Sequence, residues 1–279
     1  MGGFQDTRHR RFFMSALDHL FADLRTRGEK ALMPFVTAGD PSLQTTQQVL
    51  RLLSDLGCHL AEVGIPYSDP IADGPVIQAS YTRALGRRLK LEQILASVHE
   101  VKPSLQMPLV SMVSYAIVLR HGLEKYVADA RESGFSGLIV PDLLIEEAAP
   151  LAKLCAAADL SLIQLITPTT PRERAIRIAR ESTGFIYYVS VTGITGERTE
   201  LPPEVVDQVG WLRQQTTLPI CIGFGISRPE HVRMLAPVAD GVIVGSALVR
   251  QIARLEHESP DVVLPEISEL ITGLRDALK

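Results

Sequence analysis

Cysteine is scarce: Cys58, Cys155 and Cys221 are the only three in 279 residues. All stand in apolar surroundings. An odd number without paired spacing argues against a disulfide framework or a zinc site and points to reduced thiols in a cytoplasmic protein. Basic charge is not in excess either. A net charge of −4, with no basic stripe interleaved with aromatics, leaves no nucleic-acid footprint. No apolar run approaches the length of a membrane span, so no membrane association is expected. The segment RHRRFFMSALDHLF, residues 8–21, places basic residues ahead of apolar ones. Asp18 interrupts it, Asp23 follows, and no small-residue cleavage site appears, so it does not read as a targeting signal. Asp6 stands where a myristoylation signal needs Ser or Thr. Phe13, Leu17, Leu20, Phe21 and Leu24 recur instead at helical spacing, predicting an extra N-terminal helix laid against the body of the domain. Residues 1–10 are expected to form a disordered tail.

What is present is core-forming sequence. Hydrophobic residues make up 46% of a 30.6 kDa chain, enough for one large domain and too many for disorder. Short apolar runs alternate with polar loops and helical patterns. Strand candidates are 31–37, 58–64, 107–113, 136–140, 160–166, 184–190, 218–224 and 241–245. Helical patterns between them include 45–56, 91–101, 123–133, 146–158, 172–182 and 203–214. Strands alternating with helices imply βαβ units and a parallel sheet. Eight such units are what a (β/α)8 TIM barrel requires, so the expectation is one α/β barrel domain over 1–279. An open doubly wound sheet is the rival, but the first strand runs out as ALMPFVTAGDP, with no glycine-rich fingerprint after it.

The second strand carries one carboxylate, Glu62, on the face it shares with Leu60 and Gly64. A carboxylate on an apolar face is expensive to bury and needs a reason. The loop that follows holds Pro66, Pro70 and Pro75, which stiffen it, together with Asp69 and Asp73. A turn-rich connector with a solvated glutamate is the plainer reading.

On a barrel, function gathers where strands end. After the seventh strand comes Gly223-Phe224-Gly225-Ile226-Ser227, in which Arg228 stands where a dinucleotide motif needs its third glycine. Gly245-Ser246-Ala247 follows the eighth. Glycines at helix starts let backbone N–H groups face an anion, and these two loops are the recurrent phosphate position of the fold. Tight turns alone would also explain them. The loop at 190–203 is long, polar and glycine-punctuated, with Thr192, Thr195 and Thr199 as hydroxyl donors and Gly196 placed to reach a phosphate. Its length is that of a lid. A surface loop without such a role is the alternative.

Taken together, PFVTAGDP (34–41), EVGIPYSDPIADGPVIQ (62–78), IVPDLL (139–144), SVTGITG (190–196), GFGIS (223–227) and VGSALV (244–249) resemble the tryptophan synthase α subunit family along nearly the whole chain. The second segment is the most specific. The resemblance implies retro-aldol cleavage of indole-3-glycerol phosphate to indole and glyceraldehyde 3-phosphate, without metal or organic cofactor. It implies that Glu62 is the catalytic acid and base. It also implies that Asp73 accepts from the indole N–H and stays ionised to stabilise charge on the ring. Carried over in the same way, Phe35 and Tyr187 line the indole pocket, though both also read as core residues. Thr195 meets Asp73 on closure, and Gly196, Gly225, Gly245 and Ser246 hold the phosphate. Asp142 serves the indole pocket or a subunit switch, or caps the helix that follows it. The expected partner is a pyridoxal-phosphate β subunit in an α2β2 complex. One departure stands out: Ser114 and Ala116 occupy positions where the family commonly has Tyr and Asn, near where that partner docks. A stand-alone indole-releasing lyase, another phosphate-binding barrel and a non-catalytic activator of a β subunit remain as alternatives.

Overall fold

The computed structural model describes residues 14–70, 73–190, 203–223 and 225–279. Eight parallel strands close into a barrel in sequence order: β1 (Ala31–Thr37), β2 (Ala61–Gly64), β3 (Leu109–Met112), β4 (Phe135–Ile139), β5 (Ser161–Ile166), β6 (Ile186–Val189), β7 (Ile220–Gly223) and β8 (Gly241–Val244). The last strand pairs with the first, Met33 beside Ile243. Around them run α1 (Ala16–Arg27), α2 (Leu43–Asp55), α3 (Pro75–Gly86), α4 (Leu91–Val101), α5 (Tyr115–His121) and α6 (Leu123–Glu132). The ring continues with α7 (Ala148–Ala157), α8 (Arg172–Glu181), α9 (Pro203–Arg213), α10 (Pro229–Leu235), α11 (Ser246–Arg254) and α12 (Pro260–Asp276). This is the expected (β/α)8 barrel with its extra N-terminal helix. The proposed tail at 1–10, and Phe13, lie outside the described residues.

Most strand candidates are longer than the ladders that form. The runs at 58–64 and 184–190 pair only over Ala61–Gly64 and Ile186–Val189, yet Cys58, Leu60 and Phe185 are as buried as the strands they lead into. Hydrophobic patterning reports burial, and burial extends past the hydrogen-bonded register. After β3 the chain makes two helices where only the second was anticipated. Gly122, at φ 93°, separates α5 from α6.

The core has two layers. One fills the space between the strands and the outer helices. The other fills the barrel itself, with Ala31, Met33, Phe35, Leu60, Val110, Ile139, Ile163, Phe185, Tyr187, Cys221 and Ile243 pointing inward. α1 closes the lower end. Ser15 and Asp18 form a capping box at its start, and Gly28 ends it in the left-handed region at φ 67°. Leu17, Phe21 and Leu24, spaced along one face, join the interior cluster, and the rings of Phe21 and Phe185 lie 5.7 Å apart. No described helix is long and apolar enough to cross a membrane.

Because α1 acts as a plug beneath the barrel and takes no part in its mouth, Leu17→Ala should separate stability from activity. The expected loss is about 2–5 kcal/mol in urea unfolding, with indole release unchanged below the transition.

Candidate functional site

Glu62 sits on β2 beside Phe35 of β1 and Val110 of β3, its side chain turned into the upper barrel. It is 0% exposed, and neither carboxyl oxygen has a hydrogen-bond partner among the described residues. Burial holds this carboxyl well above the ordinary glutamate range. An ionised carboxylate left unpaired there would cost several kcal/mol, so burial favours the protonated form. The strand context that made the residue conspicuous in sequence is therefore what keeps it an acid.

Two glycines shape the walls around it. A Cβ at Gly64 would lie 2.4 Å from Phe35 Cζ and 2.9 Å from Tyr81 Oη, and one at Gly223 would lie 2.5 Å from Tyr187 Oη. The rings of Phe35 and Tyr187 thus lie across neighbouring strands in space that only glycine leaves free. Phe35 also packs beneath Gly245, where a Cβ would be 3.9 Å from its own. Phe35, Tyr187 and Tyr81 are all buried.

Asp73 lies just before Gly74, the N-cap of α3, and is half-buried. Its backbone is tied on both sides: its N–H donates to Pro70 O at 3.2 Å, and Gln78 Nε2 donates to its carbonyl at 2.8 Å. Burial raises the Asp73 carboxyl above the ordinary aspartate range, while a hydrogen bond from Tyr67 acts in the opposite direction. Tyr81 and Tyr187 are within electrostatic reach of both Glu62 and Asp73, so the two carboxyls share one site.

α3 is fixed to the end of β1. Thr37 and Ser80 hydroxyls are 2.6 Å apart. Arg83 grips Asp40 with two hydrogen bonds of 2.8 and 2.7 Å, and the Asp40 side chain is 1% exposed. Buried pairs of this bidentate kind hold geometry firmly.

Across the mouth, Gly245 is the N-cap of the nine-residue α11 and Ser246 its first residue, with no side chain capping the helix. Both are partly exposed. Its first N–H groups and dipole face the rim, an arrangement suited to an anion. Gly225, after β7, takes φ 79°. His231, buried on α10, accepts from Ser227 N–H through Nδ1 at 3.3 Å and so pins this loop to the helix that follows. Thr192, Thr195, Gly196 and Thr199 lie outside the described residues.

Asp142 does something other than cap α7. It accepts from Ser114 Oγ at 2.8 Å and from Tyr115 N–H at 2.7 Å, so it caps α5, the helix after the third strand. Its carboxylate reaches sideways to the neighbouring loop because α7 begins six residues on, at Ala148. The departure at Ser114 is thereby absorbed into a contact that joins two adjacent loops.

Tyr67, Tyr81 and His231 were not singled out from sequence. Tyr81 had a signal, since Ile77, Tyr81 and Ala84 share the buried face of α3. His231 had none, because its partner is a backbone N–H. Among the described residues no group of His, Cys, Asp or Glu is placed to hold a metal ion.

A closed parallel barrel with two carboxyls at its upper end defines the class: a (β/α)8-barrel enzyme. The sequence profile of a family described as tryptophan synthase alpha chain matches residues 21–279. A tryptophan synthase alpha chain from Rhodopirellula baltica is 58% identical over 243 residues, covering 86% of this chain and 87% of that one. Another from Rippkaea orientalis is 46% identical over 267 residues, covering 95% and 99%. The crystal structure of tryptophan synthase subunit alpha from Legionella pneumophila str. Paris superposes with a TM-score of 0.87 at 33% identity, covering 95% of this chain and 98% of that one. A chain in the aminoacrylate-bound form of tryptophan synthase from M. tuberculosis gives 0.84 at 29% identity, covering 95% and 100%. The chain belongs to the tryptophan synthase alpha chain family, and is a lyase of tryptophan biosynthesis.

The wall geometry predicts the effect of one methyl group. Gly64→Ala should displace the Phe35 ring and lower kcat/KM for indole release by about 10- to 100-fold, and Phe35→Leu in the same chain should recover part of it. Steady-state kinetics on the single and double variants check this.

Proposed function

We propose that Glu62 and Asp73 carry the family's lyase reaction, the retro-aldol cleavage of indole-3-glycerol phosphate to indole and glyceraldehyde 3-phosphate. The observation that supports this most is the wholly buried, unpartnered carboxyl of Glu62 at the upper end of the barrel. A neutral carboxylic acid there can deliver its proton to indole C3. The ring nitrogen then carries positive charge, which Asp73 stabilises by accepting its N–H. Glu62, now a carboxylate in apolar surroundings, is a strong base for the adjacent glycerol hydroxyl. Removing that proton forms the aldehyde, breaks the carbon–carbon bond, returns the electron pair to the ring and regenerates the acid. Two carboxyls in different environments take two roles.

Phe35 and Tyr187 flank the ring in this reading. Gly225, Gly245 and Ser246 receive the phosphate at the start of α11, with Gly196 and Thr195 completing the site from the 190–203 loop. No cofactor enters. Asp142 acts at one remove, through α5. The partner is the family's β subunit, a pyridoxal-phosphate enzyme, in an α2β2 complex. Exposed Leu119 on α5 and Leu144 after β4, either side of the Ser114–Asp142 contact, support a docking face there. A cytoplasmic setting belongs to the same reading, and burial pushes the thiols of Cys58 and Cys155 up to about 12, where they are inert.

Glu62→Gln should lower indole release by at least about 100-fold while leaving the fold intact. The sign of its stability effect follows from linkage. A carboxyl whose folded pKa is raised loses stability for the protein as pH climbs through its unfolded value, because only the unfolded chain then ionises freely. The Gln variant should therefore be more stable than the parent in neutral urea melts, with the difference vanishing in acid below the ordinary glutamate range. A variant with near-normal turnover would remove Glu62 from the mechanism.

Slow release of indole by the purified chain, accelerated by a family β subunit, is the expected behaviour. Fast release unaffected by that subunit would identify a stand-alone lyase.

A further inference from the structure

We propose that Tyr67 is a positioning residue for the reaction, its hydroxyl holding the Asp73 carboxylate in place to meet the ring nitrogen of the substrate. The inference rests on the role assigned to Asp73 above. Tyr67 Oη donates to Asp73 Oδ2 at 3.4 Å, the single side-chain hydrogen bond to that carboxylate among the described residues. An ionised carboxylate is an acceptor at both oxygens. With Oδ2 facing Tyr67, Oδ1 is left for an incoming N–H, and this long contact biases the rotation of the group before substrate arrives.

The donor is itself well supported. The Tyr67 ring packs on Tyr81, centroids 5.5 Å apart and planes tilted by 52°. Tyr81 is 1% exposed, and it rises from the helix that Thr37–Ser80 and Asp40–Arg83 lock to β1. Pro66 precedes Tyr67 and restricts the chain entering it. Backbone contacts to Pro70 and Gln78 fix the main chain of Asp73. The hydroxyl fixes what they leave free, which is rotation of the carboxylate.

Among the described residues the titratable groups facing Asp73 are Tyr67 on its own loop, Tyr81 on α3 and Tyr187 on β6, and both Tyr81 and Tyr187 also face Glu62 on β2. Tyr67 also faces Asp142 after β4. Among the described residues no cation acts on Asp73. Burial drives Asp73 toward its neutral form, and the Tyr67 donor is the contact that opposes this. A protonated Asp73 could not stabilise a cationic ring, so loss of the hydroxyl weakens catalysis on the acid side of the profile. Glu62, which must begin protonated, governs the basic side and is untouched.

The test is the pH dependence of kcat/KM for indole release by Tyr67→Phe, with Asp73→Asn alongside. The ring and its packing survive this change, so urea stability should be unaltered. The acid limb should move up by about half a pH unit or more, giving a roughly three- to tenfold loss at pH values below it, with the basic limb in place. An unmoved acid limb, whether activity is normal or uniformly reduced, together with an inactive Asp73→Asn, would overturn the inference and leave Asp73 its role. Near-normal turnover by Asp73→Asn would overturn both.

Discussion

A carboxyl group enclosed in the upper barrel, without a hydrogen-bond partner among the described residues, sets the terms for everything around it. Burial favours the neutral form of Glu62, and a neutral acid is what the proposed protonation of a carbon requires. The surrounding structure keeps it dry. Phe35, Tyr81 and Tyr187 cover it, and glycines at 64 and 223 let those rings lie close. A polar neighbour would stabilise the carboxylate and spoil the acid. The second carboxyl is treated differently: half-buried at the rim, with a hydroxyl beside it. In the proposed mechanism the contrast between an acid and an anion is one of surroundings and not of residue type.

That contrast rests on rigid support. The stretch carrying both carboxyls leaves β2 inside a closed sheet and ends in α3, which is stitched to β1 by a hydroxyl pair and a buried ion pair. Its prolines limit what lies between. The plug below works toward the same end, since an unfilled lower barrel would admit water under Glu62 and undo its burial.

Much of this was legible in the residues alone. Eight apolar runs at βα spacing gave the barrel, and strand ends came out too long for a physical reason: Cys58 and Phe185 are buried without joining the ladder. Glu62 was conspicuous because it broke an apolar face. What sequence could not reveal was pairing between residues distant in the chain. The Asp142 carboxylate had an expected local use, a cap on its own helix, and took a lateral one at Ser114, which depends on adjacent loops meeting in space. Asp40 and Arg83, 43 positions apart, and His231 with a backbone N–H, were hidden for the same cause. Tyr67 stood in the most specific motif yet had no pattern to mark it, since its meaning lies in which oxygen it touches.

The floor formed by Leu17, Phe21 and Leu24, with the filled barrel above it, makes the upper barrel a well closed from below. On the proposed assignment the fragment seated against Glu62 is the inner one, and the phosphate-bearing piece at the start of α11 lies nearer the rim. Traffic out of such a well has an order imposed by shape. In that reading the outer fragment leaves before the inner one, and a protein seated over the rim would govern both.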